Sequence, residues 1–271
     1  MIVAINGSLV SLNEASVSIN DRGLLLGDGV FETIYYDGQQ GDSIFDELGV
    51  YNLDCFSTHW QRLQQGLSLF QIPLQLSERT VQHQILSVLA ANGLSTQTAA
   101  VRLTVTRGLG ERGLNIPAQQ HPTWLIQTTP YTRPAFPVTL AFSKHSHPGR
   151  SSLSLVKHLG YQLNILGRLE AQAKGVDDVL FINSAGHVVG ATAANLFAVI
   201  KGVVVTSPLS SGCLPGVKRG QVIQRLKNHN VTVNVRPLWP QEVLQADALF
   251  LTNSLIGVQS VSRIEGQDLS I

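Results

Sequence analysis

The sequence predicts an α+β fold in two domains. Short β-branched runs are mixed with helical patterns, without the strict strand-helix repeat of a parallel sheet. The proline-rich stretch PYTRPAFP at 130–137 interrupts both patterns, and a new set of strands begins after it. We therefore expect an N-terminal α+β domain at 1–129, a connector at 130–137 and a C-terminal α+β domain at 138–271.

The first half begins with two predicted strands, MIVAI and SVSI, separated by turn residues, and VFETIYY is a third. CFSTHWQRLQQGLSLF carries apolar residues at helical spacing. A second helix is predicted from a cap at Ser77 to a stop at Gly93. The strands TAAVRLTVTRG and TWLIQTT complete this half.

The second half contains a strand at VTLAFS and an amphipathic helix, YQLNILGRLEAQAKG, that ends at Gly175. Further strands are predicted at DVLFIN and NLFAVIKGVVVTS, with a turn at NSAG between them. The remaining predicted elements are the helix GVKRGQVIQRLKNHN, the strand TVNVRP, the short helix PQEVLQA and the strands of ALFLTNSLIGVQSV.

The composition is that of a globular protein, with 271 residues, 44% hydrophobic and 14% charged. The 19 Lys and Arg residues nearly balance the 18 Asp and Glu residues, so the net charge does not favour binding to nucleic acid or an anionic membrane. No apolar run reaches the roughly 18 residues of a membrane helix, so we expect a cytoplasmic protein. Cys55 and Cys213 lack a CxxC partner and are expected to be reduced thiols.

Three common site types are not favoured. The string G-x-G-x-x-G occurs at 108–113, but the prolines that follow oppose a helix, and no acidic residue lies about twenty positions on to hold a ribose. His145 and His147 have no third ligand nearby, so no metal is expected. A nucleophile elbow of the G-x-S-x-G type is absent.

Two positively charged segments leave alternatives open. Arg107 and Arg112, in the glycine-rich loop, are either a clamp for a carboxylate or solvated surface residues. Lys157 follows a polar-apolar alternation, SLSLVKHLG, and is either a surface charge or a partly desolvated nucleophile at a strand end.

The start of one helix is a candidate anion site. Pro215 and Gly216 precede the helix, so the amides of Val217 and Lys218 belong to its first turn. A helix N-terminus attracts anions through these N–H groups and the helix dipole.

Six motifs in order resemble the class IV fold of pyridoxal-phosphate enzymes. This group contains branched-chain transaminases, D-amino acid transaminases and 4-amino-4-deoxychorismate lyases, and the resemblance covers nearly the whole chain. The motifs are INDRGLLLGDGVFET (19–33), HWQRL (59–63), VTRGLGERG (105–113), KHL beginning at Lys157, AANLF (193–197) and LPGVKR (214–219).

The resemblance implies a role for each matching residue. Lys157 would be the catalytic residue, attached covalently to pyridoxal 5'-phosphate and then released as a base and acid. Arg107 or Arg112 would face the substrate. The implied cofactor-binding residues are Arg62, Lys157, Asn195, Val217, Lys218 and Ser254, with Arg62, the Val217 and Lys218 amides and Ser254 on the phosphate and Asn195 in the segment behind the ring.

Within the group, KHL and TRGxGxRG are most similar to aminodeoxychorismate lyases, which form 4-aminobenzoate and pyruvate in folate synthesis. An amino-acid transaminase of the same fold is the alternative. The resemblance also implies a homodimer, because active sites of the group lie near a subunit interface.

The sequence departs from the family pattern at two places. The segment around residues 39–54 is longer than usual by roughly a dozen residues, which predicts an inserted loop or lid. Gly190 occupies the position of a glutamate that normally pairs with the pyridine nitrogen, and no acid lies between Asp178 and Glu242. The cofactor ring should then be a weaker electron sink. A cofactor-binding protein that has lost catalysis is therefore a third alternative.

Overall fold

The computed structural model describes residues 1–38 and 53–269. Contacts group the chain into two compact units, one formed by Met1–Thr132 with Val156–Gly160, the other by Arg133–Leu155 with Tyr161–Ile271. The passage at Thr132 lies inside the predicted connector. The predicted insertion falls almost wholly outside the described residues. Within the described part of the chain, no helix is long and apolar enough to span a membrane.

The first unit is an antiparallel sheet packed against helices. Its elements are β1 (Ile2–Ile5), β2 (Ser8–Ser11), α1 (Arg22–Leu26), β3 (Gly29–Asp37), α2 (Phe56–Phe70), α3 (Glu78–Ala91), β4 (Thr98–Thr106) and β5 (Thr123–Pro130). The strand order is β2-β1-β5-β4-β3. Apolar residues of α2 and α3, such as Leu67 and Ile85, pack with sheet residues such as Ile34 and Val101 in one core.

The sequence predicted the helices α2 and α3 of this unit but not the short helix α1, and it placed one strand wrongly. SVSI is not a strand; the partner of β1 is Ser8–Ser11, because Asn6 and Gly7 both have positive φ and form a two-residue hairpin turn. The cap at Ser77 is confirmed, since its Oγ accepts a hydrogen bond from the Thr80 amide at 3.0 Å.

The second unit is built on a mixed sheet. Its elements are β6 (Val138–His147), α4 (Gln162–Lys174), β7 (Asp178–Asn183), β8 (Val188–Ala191), β9 (Asn195–Ile200), β10 (Val203–Thr206), α5 (Val217–Asn228), β11 (Val233–Val235), α6 (Pro240–Leu244), β12 (Ala248–Asn253), β13 (Gly257–Ile264) and β14 (Gln267–Asp268). The strand order is β11-β10-β9-β12-β13-β6-β7-β8, with β14 beside β13. The pairs β13–β6, β6–β7 and β10–β11 are parallel.

The Lys157 segment groups with the first unit, which differs from the expectation that the C-terminal domain carries this lysine. The Phe31 amide donates to the Lys157 carbonyl at 2.9 Å, and the Leu159 amide donates to the Gly29 carbonyl at 3.0 Å. Because β3 is the edge strand of its sheet, its outer backbone groups can form these bonds. The segment is thus fixed along the edge of β3.

Candidate active site

Lys157 lies beside the ring of Phe31. Its main chain is bonded to β3, and its Nζ atom is 4.3 Å from the Phe31 ring centroid. The lysine is half-buried, whereas Phe31 is buried. An amine held over an aromatic face is oriented by cation–π attraction and partly removed from water. This arrangement suits a positioned amine nucleophile and proton carrier.

A second cation shares the same ring. The Cζ atom of Arg102 lies 3.9 Å from the Phe31 centroid, and its Nε donates to the Thr104 hydroxyl at 3.2 Å. The sequence interpretation missed Arg102, although an arginine inside the apolar strand AAVRLTV was a visible signal. A guanidinium on the ring that also carries the lysine is a candidate for holding a substrate carboxylate.

Arg62 lies in a buried ionic network. Its Nε and one Nη donate to the two oxygens of Glu32 at 2.7 and 2.6 Å, and His59 Nδ1 lies 2.6 Å from Oε2 of the same carboxylate. Burial by itself raises the pKa of Glu32, but hydrogen bonds and charge from Arg62 and His59 lower it to about 2. Glu32 was given no role from the sequence, although a glutamate inside the apolar strand VFETIYY must be paired.

Arg107 has a structural role that the sequence did not predict. Its guanidinium is bidentate to Asp28 and also donates to the carbonyls of Phe70 and Gln71 and to the side chain of Gln120. All five of its N–H groups therefore have acceptors within the protein. The geometry does not favour Arg107 as a substrate ligand, because contact with substrate would break these bonds.

Arg112 differs from Arg107 in that its side chain is exposed. It lies in the same loop, whose carbonyls at Gly113, Leu114 and Asn115 accept from the buried Arg22. Of the two arginines predicted for the substrate, Arg112 is the one that remains a candidate.

In the second unit, the LPGVKR segment forms the predicted turn and helix start. Gly216 is the N-cap of α5, and the helix begins at Val217 as expected. Asn195 secures this turn, because its Nδ2 donates to the Leu214 carbonyl at 3.0 Å. A Cβ atom on Gly216 would lie only 2.1 Å from the Asn195 Oδ1 atom, so a side chain at this position would displace Asn195. Asn195 thus positions the backbone that carries the Val217 and Lys218 amides.

The neighbouring strand end presents hydroxyl groups. Thr252 pairs with Asn195 across β12 and β9 and precedes Ser254 by two residues. The Thr252 Oγ1 atom is buried and finds no hydrogen-bond partner within the described ranges. A helix N-terminus without a side-chain cap, next to a strand bearing such a hydroxyl, fits a phosphate group. The predicted phosphate-binding residues of this unit are therefore chemically consistent with a phosphorylated cofactor.

Gly190 lies on β8 opposite Phe181 of β7. A Cβ atom there would lie 2.8 Å from the Ala194 carbonyl oxygen, and the Ala191 amide donates to that oxygen at 2.9 Å. The backbone therefore favours glycine at this position. Asp178 is the last acidic residue before Gly190. Its carboxyl group accepts a hydrogen bond from the Thr192 hydroxyl, and burial raises the pKa of this carboxyl group.

Comparison with known proteins shows the family. The family model described as amino-transferase class IV matches residues 29–264. A provisionally named branched-chain-amino-acid aminotransferase of Methanocaldococcus jannaschii is 31% identical, covering 98% of this chain and 89% of that protein. The aminodeoxychorismate lyase of Vibrio harveyi is 27% identical, and the match covers 96% of this chain and 92% of that protein.

A solved structure shows the same fold. The branched-chain amino acid aminotransferase of Escherichia coli superposes with a TM-score of 0.90 at 23% identity, covering 99% of this chain and 88% of that one. Sequence and fold comparisons agree over nearly the full chain. The chain therefore belongs to the class IV aminotransferase family of pyridoxal-phosphate-dependent enzymes.

Proposed function

We propose that the protein is a pyridoxal-phosphate-dependent lyase that converts 4-amino-4-deoxychorismate to 4-aminobenzoate and pyruvate, a step of folate synthesis. The observation that carries this choice is the backbone at Gly190, where a side chain would meet the Ala194 carbonyl at 2.8 Å. A carboxylate for the pyridine nitrogen is therefore not supplied from this position.

A lyase tolerates the absence of a carboxylate partner for the pyridine nitrogen better than a transaminase does. Without a carboxylate partner, the pyridine nitrogen is protonated less often and the ring withdraws electrons less strongly. A transaminase depends on that withdrawal in both half-reactions. In the lyase reaction, formation of an aromatic product provides much of the driving force. The KHL and TRGxGxRG motifs and the similarity to the Vibrio harveyi lyase also support this proposal.

The chain's own residues have the following roles. The bound cofactor supplies electron withdrawal from the substrate amine. Lys157, beside the Phe31 ring, takes the proton from the ring carbon that bears the amino group and returns a proton to the departing pyruvate. Arg102 and Arg112 are the candidates for the substrate carboxylates. Arg62, Ser254 and the start of α5 hold the phosphate, and Asn195 fixes the turn.

A transaminase of branched-chain or D-amino acids is the second candidate. It is favoured by the 31% identity to the Methanocaldococcus jannaschii protein, which exceeds the 27% identity to the lyase. The third candidate is a protein that binds the cofactor but has weak or no catalysis, and Gly190 is the feature that favours it.

One experiment distinguishes the lyase, the transaminase and the cofactor-binding protein. Purified protein loaded with pyridoxal phosphate is given 4-amino-4-deoxychorismate, and 4-aminobenzoate is followed by fluorescence while pyruvate is measured in parallel. Equal amounts of both products support the lyase. Amino-group exchange between an amino acid and a 2-oxo acid, without 4-aminobenzoate, supports the transaminase instead. A normal cofactor spectrum with neither activity supports the binding protein.

We also propose that the protein is a homodimer. Large apolar side chains of the first unit are exposed on α1, at Ile19 just before it, and on the loop around residues 109–116, which accepts hydrogen bonds from Arg22 of α1. A second copy of the chain would cover this apolar face. Its exposed members are Ile19, Leu24, Leu25, Leu26, Leu109, Leu114 and Ile116.

A further inference from the structure

Three polar residues form a buried network inside the first unit. Glu32, on β3, is bonded to His59 and Arg62, which lie three residues apart on one side of α2. Glu32 and His59 are 1% exposed and Arg62 is 8% exposed. Oε2 of Glu32 contacts both His59 and Arg62, and Oε1 accepts from the Nε atom of Arg62.

Stability alone does not explain a buried ion pair of this kind. Desolvation of two charges offsets most of their attraction, so well-packed apolar residues would often be as stable. The pair of Glu32 and Arg62 instead fixes the orientation of the Arg62 guanidinium. A guanidinium is planar, and bonds from its Nε and one Nη to the same carboxylate fix the plane and the heading of the third nitrogen.

We propose that Glu32 is a positioning residue that, braced by His59, orients the guanidinium of Arg62 toward a phosphate monoester. The proposal rests on the proposed function, which assigns Arg62 to the phosphate of the cofactor. His59 acts on Glu32, since its ring nitrogen lies 2.6 Å from Oε2. Neither Glu32 nor His59 touches the ligand in this proposal.

Two roles for Glu32 predict effects of opposite sign. If its carboxylate merely balanced the charge of Arg62, neutralising it would strengthen anion binding, because a negative charge near the phosphate would be lost. If Glu32 orients Arg62, neutralising it weakens phosphate binding, because the guanidinium loses its bidentate partner. We expect the second result.

The test compares phosphorylated and dephosphorylated cofactor. Apoprotein of wild type and of Glu32→Gln is titrated with pyridoxal phosphate and with pyridoxal, and the dissociation constants are measured from absorbance without any turnover. In Glu32→Gln the amide NH2 group faces a donor of Arg62, so one bond is lost. We expect the dissociation constant for pyridoxal phosphate to rise about tenfold, as loss of a charged hydrogen bond predicts, while that for pyridoxal is unchanged.

Glu170→Gln is the matched control. Glu170 is also a buried carboxylate, bonded to Ser143, Lys144 and Lys174 in the second unit, and the pKa of its carboxyl group is likewise about 2. We expect this variant to lose stability without changing the ratio of the two dissociation constants. If Glu32→Gln does not fold, His59→Leu carries the same test with a smaller expected rise in the ratio.

Arg62→Lys separates failure of this proposal from failure of the assignment beneath it. Lysine keeps the charge but cannot form the fork. If Arg62→Lys leaves the ratio of the dissociation constants for pyridoxal phosphate and pyridoxal unchanged, Arg62 does not hold the phosphate. Both its assignment to the phosphate and the positioning role of Glu32 then fail. If Arg62→Lys raises the ratio but Glu32→Gln leaves it unchanged or lowers it, only the positioning role is overturned. Glu32→Gln should add no further change in the Arg62→Lys background.

Discussion

The carbonyl oxygen of Ala194 lies 2.8 Å from the place that a Cβ atom on Gly190 would take. The same oxygen accepts a hydrogen bond from the Ala191 amide, so the backbone there is held in position. Gly190 also has a φ of +157°, which residues with a side chain rarely adopt. The absent carboxylate is therefore coupled to a local backbone arrangement, and a single substitution cannot restore it without displacing that backbone.

Substitutions at Gly190 are expected to cost stability. Gly190→Ala, Gly190→Gln and Gly190→Glu should each lower the free energy of unfolding by about 1–3 kcal/mol, as overpacking does. Urea denaturation of the three variants measures this. A Gly190→Ala protein as stable as wild type would show that the backbone does not require glycine.

The same series isolates the effect of the carboxylate. Gly190→Gln and Gly190→Glu add side chains of similar size, so a difference between them reports the charge. We expect Gly190→Glu, relative to Gly190→Gln, to change the pH dependence of the cofactor absorbance. Identical spectra and identical turnover in the two variants would refute the view that a missing carboxylate limits this enzyme.

Lys157→Ala should abolish covalent attachment of the cofactor. We expect loss of the visible absorbance of the protein-bound cofactor and a fall in turnover of about 10²- to 10⁴-fold, the range for loss of a general acid-base group. Lys144→Ala, at an exposed position on β6, is the control and should behave as wild type. Retention of the full absorbance in Lys157→Ala would contradict the assignment.

The sequence was informative wherever a residue's role follows from local pattern. The helix at 56–70, the cap at Ser77 and the start of α5 after Gly216 were all predicted, because hydrophobic period and turn residues act over a few positions. The family resemblance was confirmed by the family model.

Long-range pairing was not readable in the same way. The role of Glu32 depends on partners 27 and 30 residues away, and Arg107 is held by Asp28 from another strand end. The Lys157 segment groups with the first unit through backbone bonds to β3, which no side-chain pattern specifies. Arg102 also becomes recognisable as a site residue only once Phe31 and Lys157 are placed beside it.

Arg107 and Arg112 should respond differently to truncation. Arg107→Ala removes the bidentate partner of Asp28, which keeps only its bond from Arg22, and takes a donor from two carbonyls at the end of α2, so we expect a loss of about 3–5 kcal/mol in the free energy of unfolding. Arg112→Ala, at an exposed position, should stay within about 0.5 kcal/mol of wild type.

The kinetics of the same two variants complete the comparison. We expect Arg112→Ala to raise KM, since a substrate carboxylate loses a partner. An Arg107→Ala protein of normal stability, with KM raised, would reverse the roles assigned to the two arginines.

Stability in acid should depend on Glu32. The pKa of its carboxyl group is about 2 in the folded protein and 4.5 in its ordinary state, so the carboxylate stabilises the fold above pH 4.5 and this contribution is lost as the pH falls toward 2. The shift corresponds to about 3 kcal/mol. We expect the difference in unfolding free energy between wild type and Glu32→Gln to shrink over this pH range. A difference that stays constant from pH 6 to pH 2.5 would show that the charge of Glu32 contributes nothing.

The apolar face of α1 and the loop around residues 109–116 should control assembly. A charge placed there remains exposed in a monomer but must be desolvated in a dimer, so Leu25→Glu and Leu114→Glu should shift the protein toward monomer. Sedimentation velocity or light scattering over a range of concentrations measures the fraction of dimer.

Phe136→Glu is the control, because Phe136 is also exposed, at 82%, but lies outside this face. Since the dimer is proposed to cover both segments, either variant alone should weaken association by at least tenfold, about 1.4 kcal/mol. Wild-type protein that is monomeric at all concentrations, or Leu25→Glu and Leu114→Glu proteins that remain dimers while Phe136→Glu dissociates, would place the interface elsewhere.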